Sequence, residues 1–98
     1  LYVMKNFLAG LPDIYDQGRL GDDAIVHLQF YHPINGWTWN VLEYDGEDEL
    51  FGYVMGFENE YGYFSLSELL NNGVLINLKF KKKPLEEVIK DHNKKRGF

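Results

Sequence analysis

His27 and Glu43 are the two side chains of this 98-residue sequence whose chemistry comes nearest to a reactive pair. Set on neighbouring strands they would meet across a hairpin, and with one further acid they would make a weak zinc or manganese site. His32 adds little, because five residues separate it from His27 and a regular strand turns the two to opposite faces. The loop DGEDE (45–49) is calcium-like in composition alone, lacking the alternating ligands and closing glutamate of an EF-hand loop. Ser65 and Ser67 flank no histidine and sit in no nucleophile elbow, so helix capping accounts for them. No glycine-rich loop carries the lysine of a phosphate cradle, and there is no cysteine to act as nucleophile or thiolate ligand. The reading is therefore non-enzymatic, with no catalytic residue, no metal and no cofactor expected.

Charge is the stronger signal. The net charge is −5, yet residues 20–78 hold ten carboxylates and no lysine or arginine, while residues 79–98 hold eight basic side chains against three acids. A field of one sign over much of the surface repels nucleic acid and attracts a basic partner. Nucleic acid would have to meet the tail, from Lys79 to Arg96, against the repulsion of the acidic body. The absence of cysteine fits a reducing cytoplasm, and no apolar run reaches the roughly 20 residues of a membrane span or forms a signal peptide. Met4 is taken as the first native residue, and residues 1–3 are set aside.

The elements that would position these groups follow from periodicity. Phe7, Leu8 and Leu11 fall at helical spacing after a cap at Asn6, with Ile14 and Tyr15 extending the apolar face; this segment is expected to lie over a sheet. AIVHLQFYH reads as one strand with Val26, Leu28, Phe30 and His32 inward, PING as a turn, and WTWNVLEY as a second strand. DGEDE closes a hairpin whose return strand, LFGYVMGF, aligns Phe51, Tyr53, Met55 and Phe57 against Gly52, Val54 and Gly56. The tryptophans are expected to lie across from those glycines. A short strand over 61–64 leads into a helix capped by Ser65, with Glu68 closing a capping box, and NNG ends that helix. VLINLKF alternates as the cleanest half-buried strand, and Pro84 opens a last helix with one narrow apolar stripe. The whole predicts a single α+β domain over 1–98: a small, mostly antiparallel sheet of four to five strands with short N-terminal, middle and C-terminal helices, residues 81–98 being a basic helical tail.

Three blocks in order, GWTWNVLEYD, ELFGYVMG and EYGYFSLSEL, resemble domain of unknown function 2958, a family of uncharacterised proteins encoded in bacteria and on plasmids, phages and other mobile elements. The likeness spans 60 to 70 residues and matches the family's signature at Trp37, Thr38, Trp39, Glu43, Phe51, Gly52, Gly62, Tyr63, Phe64, Ser65, Leu66 and Glu68. It departs where the family carries an acidic, arginine-containing segment and this chain has GVLINLKF. The resemblance implies a mobile-element context and no activity.

The first expectation is thus an accessory protein that binds another protein with a basic surface, one form being an inhibitor of a host defence nuclease by phosphate mimicry. The residues expected to carry it are Glu43, Asp45, Glu47, Asp48, Glu49, Glu58, Glu60, Trp37 and Tyr31, joined by Asp22 and Asp23, on a scaffold set by Trp39, Gly52, Gly56, Ser65 and Glu68. The alternatives are a structural module that self-associates, as a homodimer, and an enzyme or weak metal site around His27 and Glu43.

Overall fold

The structure, a computed structural model, describes residues 7–14 and 21–95. The expected cap at Asn6, the turn at 18–20, Tyr15, Arg96 and Phe98 lie outside them. Chain order gives β1 (Ile25–Val26), β2 (Leu28–Tyr31), β3 (Thr38–Tyr44), β4 (Glu49–Met55), β5 (Asn59–Ser65), helix α1 (Leu66–Asn71), β6 (Leu75–Ile76), β7 (Lys83–Pro84) and helix α2 (Leu85–Lys95). A short 3-10 turn over Gly21–Asp23 precedes β1. Strands β2 to β5 form an antiparallel meander and β6 adds beside β2, giving the order β5-β4-β3-β2-β6, while β1 and β7 pair separately. The fold is α+β, as the sequence predicts.

The sheet is covered on both faces. On the first, Leu28, Phe30, Val41 and Leu50 pack with Leu66 and Leu69 of α1, with Leu8 and with Val74. Phe7, Leu8 and Leu11 do lie against the sheet, and Phe7 and Leu8 are helical. On the second face Leu42 and Met55 pack with Ala24, Val26 and, from α2, Leu85 and Val88. Strand β3 serves both cores by alternation, Trp39 and Val41 facing the first and Leu42 the second, and its pairing with β4 shifts register between Val41 and Glu43. The extra residue of this β-bulge puts Glu43 opposite Phe51, and because both faces are covered residues 40–43 are buried in succession.

Four expectations need correction. The segment 25–31 does bury its even residues, but it is two strands: at His27 the backbone N–H turns to Val41 O (3.0 Å), so Val26 enters the second core and Leu28 the first. Strand β5 runs seven residues, longer than the expected 61–64. The run 74–80 is a strand only at Leu75–Ile76, with Leu78 72% exposed. Asn77 diverts it: its backbone N–H donates to Gln29 O (2.9 Å), while its side-chain oxygen accepts the Lys79 N–H (3.1 Å), which closes a turn where alternation predicted strand. Lastly, the stretch expected as a basic helical tail over 81–98 joins the core in the first turns of α2, since Leu85 is 0% exposed and burying a leucine is worth about 1.5–3 kcal/mol.

A chain of amides ties that turn to the sheet. Asn77 Nδ2 donates to Gln29 Oε1 (3.0 Å), Gln29 Nε2 to Asn40 Oδ1 (2.8 Å), and Asn40 Nδ2 to Tyr53 O (3.0 Å). Asn40 is fully buried, so these bonds remove the cost of desolvating its amide.

Candidate functional site

The hairpin tip is where the acids concentrate, and its backbone explains why they sit there. Gly46, at φ +89°, makes the turn, and Asp45 Oδ1 then accepts three successive N–H groups, from Glu47 (2.8 Å), Asp48 (3.0 Å) and Glu49 (3.0 Å). Those bonds, that of Glu47 foremost, hold the Asp45 carboxyl below its ordinary range. Asp48 faces the next element. It accepts the Ser65 hydroxyl (2.5 Å), the Ser67 N–H (2.8 Å) and the Ser67 hydroxyl (2.9 Å), and these bonds, the Ser65 hydroxyl first, lower its pKa. Ser65 is the N-cap of α1, as predicted, its oxygen accepting the Glu68 N–H (3.3 Å). Asp48 braces this cap, where the sequence pointed to Glu68.

Of the expected docking carboxylates, then, Asp45 and Asp48 bind the protein's own backbone and serines, while Glu47 and Glu49 are exposed. Glu43 is only 1% exposed: it pairs with Phe51 under the cover of the sheet, so it presents no surface charge. Glu58 and Glu60 are exposed at the far end of β4, about 20 Å from the tip by strand rise. Asp22 lies by the second face, where it accepts the Tyr61 hydroxyl (2.6 Å). The carboxylates do not converge on one continuous surface.

Trp37 and Trp39 do share a face, their rings 6.1 Å apart. Trp37 lies over Gly56, where a Cβ would come within 2.6 Å of the indole, and the edge of Phe57 meets it at 5.1 Å and 82°. Trp39 pairs with Val54 and packs on the first core. Gly52 is not opposite a tryptophan: it pairs with Val41, and a Cβ there would strike Asn40 O. Tyr31 is half-buried and pairs with Thr38, so alternation turns it away from Trp37.

These groups line two depressions. One, about 470 Å³, is bounded by residues 45 and 47–49 together with Tyr63, Phe64, Ser65 and Glu68. The other, about 400 Å³, has Trp37, Trp39 and Phe64 as its aromatic floor and Ser65, Glu68, Asn72 and His32 among its walls. Phe64, Ser65 and Glu68 line both, so the two depressions adjoin along these residues, acids on one side and tryptophans on the other. Along the strand direction Leu50, which pairs with Phe64 towards the tip, and Val54, which pairs with Trp39, are four residues of β4, about 13 Å, apart. Between them Gly62 leaves the strand bare, with no atom within 4 Å of where its Cβ would be.

Phe64, Glu68 and His32 were not among the sequence-derived binding residues. His32 braces the turn into Trp37, its Nδ1 accepting the Ile34 N–H (3.2 Å), and Asn35 Oδ1 accepts the Trp37 N–H (3.0 Å). A histidine three residues before asparagine in a proline turn was the available signal. His27 is held below its ordinary pKa by burial and then by Lys82. Among the described residues no group of three or more His, Cys, Asp or Glu side chains could hold a metal ion, and no helix is long and apolar enough to cross a membrane. No family model, curated protein or solved structure matches this chain, so its likeness to domain of unknown function 2958 rests on the three sequence blocks alone.

Proposed function

We propose that the chain is a non-catalytic protein-binding module that takes an extended, basic peptide segment in the groove between the hairpin tip and the tryptophan pair. One observation carries this reading: the acidic and aromatic depressions share Phe64, Ser65 and Glu68. Glu47, Glu49 and Glu68 supply exposed negative charge, and Trp37, Trp39 and Phe64 supply flat apolar surface of the kind that proline and aliphatic side chains cover. A peptide in extended conformation advances about 13 Å in four residues, so a lysine or arginine at the tip places a proline or aliphatic residue four positions away on the indoles. A partner that lays a basic strand here fits the acidic accessory protein of a mobile element inferred from composition and family likeness. Phosphate mimicry fits less well, because it needs an unbroken row of carboxylates and these are divided between two ends of the sheet.

The test is a peptide array that varies the spacing between one basic and one apolar position, followed by titration with indole fluorescence. Spacing of four should bind best and shift the fluorescence. Trp39→Ala should abolish the response, and Glu68→Gln should weaken it most at low salt. Binding that ignores spacing, or that persists in Trp39→Ala, would overturn the proposal.

A second reading, self-association, draws on β5. It is one of the sheet's two edges among the described residues, seven residues long against two for β6, and Tyr61 and Tyr63 along it are exposed. Sedimentation of a Gly62→Pro variant separates the two readings, since proline would block edge pairing and shift any dimer to monomer.

A further inference from the structure

The second face carries a groove of opposite sign. A cavity of about 620 Å³ lies between the sheet and α2, and into it project Lys79, Lys81, Lys83 and Lys94, with Asp91 and His92 beside them. Lys83 is engaged by Asp91 at 2.7 Å and lies 5.6 Å over the Phe80 ring; Lys79, Lys81 and Lys94 carry no ion pair among the described residues. Three like charges held in one concavity repel each other, and a multivalent anion removes that cost. The wall is also built, not merely solvated. Gln29 and Asn77 line it as members of the amide chain that pins the 77–80 turn, so the lysines of that segment stand on a fixed base.

From this arrangement we infer that the groove binds a phosphate-bearing ligand of nucleotide size. Its volume falls within the few hundred cubic ångströms usual for small-ligand sites. A carboxylate brings one charge to three free ammoniums, whereas a di- or triphosphate brings several, and the Phe80 ring in the wall offers a flat apolar surface for the remainder of the ligand. The acids of the hairpin tip do not cancel this field. Thr38, in the groove, and Tyr44, at the tip, are the two ends of β3, about 20 Å apart, more than two Debye lengths at physiological ionic strength.

The probes are inorganic triphosphate, ATP and a short single-stranded DNA, each titrated into the full chain and followed by amide chemical shifts and calorimetry. Shifts should appear at residues 77–83 and 91–94, leave 45–49 unmoved, and saturate below about 1 mM. The triple variant Lys79→Gln, Lys81→Gln and Lys94→Gln, all exposed positions, should fold as the parent does and bind at least about tenfold more weakly. ATP binding as tightly as DNA points to a free nucleotide, and affinity that grows with DNA length points to nucleic acid; both support the phosphate site. The proposal is overturned if the groove residues do not shift, if the triple variant binds equally well, or if an oligoglutamate of equal charge competes equally. It is likewise overturned if the groove proves to be filled by the acidic tip of a second copy, seen as a concentration-dependent dimer that the triple variant abolishes.

Discussion

The hairpin tip and the lysine-rich segment are both rich in charge, but they direct it oppositely. At the tip two carboxylates turn inward: Asp45 satisfies three backbone N–H groups and Asp48 ties the hairpin to the N-cap of α1. In the lysine segment the apolar residues turn inward, with Leu85 and Val88 in the core, and Lys79, Lys81 and Lys94 stay outside. The reason lies in side-chain length. An aspartate reaches its own backbone two to four residues on and so becomes part of a turn, whereas a lysine's four-carbon stem carries its ammonium out to water. Counting charges along a sequence therefore overstates the free acids of a tight turn and understates the structural weight of a basic helix.

The largest effect should come from the basic side. Leu85→Ala removes a fully buried side chain from the second core and should cost about 2–5 kcal/mol by urea unfolding, a large part of the roughly 5–15 kcal/mol that holds such a domain together. A loss below about 0.5 kcal/mol would mean that α2 is the loose tail suggested by composition.

Next comes Asp48. Replacing it by alanine strips Ser65 and the Ser67 N–H of their acceptor, so Tm should fall by several degrees and amide exchange should quicken at Ser67 and Glu68. Asp48→Asn keeps an oxygen for the Ser67 N–H and should recover part of the loss. If the neighbouring Glu49→Gln lowers Tm as much, the contrast between inward and outward acids fails.

A smaller effect should appear as pH falls. His27 is depressed in the fold, so the stability it contributes is present above its unfolded value of 6.5 and is lost as pH drops through its folded value. Asp45 and Asp48 are depressed too, and their contribution persists until pH falls below about 3.8 and through their folded values. Thermal melts from pH 7 to 3 should thus show two declines, of which Asp45→Asn with Asp48→Asn flattens the lower and leaves the upper intact. A lower decline unchanged in that double variant would remove the structural role assigned to these acids.

Much of the fold was legible because it rests on local rules. Alternation identified β2 to β4 and aligned Phe51, Tyr53 and Met55, though Phe57, grouped with them, is 93% exposed, and the Ser65 cap was readable from SLSE. The errors share one cause, long-range contacts that outrank local pattern. Asn77 ends a textually perfect alternation because Gln29 stands opposite with an amide to satisfy it. Glu43 is buried because both faces of the sheet are covered, and the bulge at Leu42 that sets it opposite Phe51 is announced by nothing in WTWNVLEY. The candidate site was half legible: Trp37, Glu47 and Glu49 were named, whereas Phe64 and Glu68 join the groove only because α1 folds back over the first face.

The smallest structural effect, and the sharpest functional one, belongs to Glu47 and Glu49. Both are exposed, so the double change to glutamine should leave Tm within about 1 °C of the parent. Their charge acts through solvent and at range, which means that it governs how fast a basic peptide arrives more than how tightly it is held. Association of the best four-spaced peptide should therefore slow about tenfold at low ionic strength, while dissociation stays nearly constant. The difference should vanish near 1 M salt, where screening acts within about 3 Å. Trp39→Ala should behave oppositely, raising dissociation at any salt, because the indole works by contact. Stopped-flow traces of the two variants at two salt concentrations thus separate the two ends of the groove. An unchanged association rate in the glutamine variant would leave the tryptophans as the only binding end and return the acidic tip to the solvated turn that its composition first suggested.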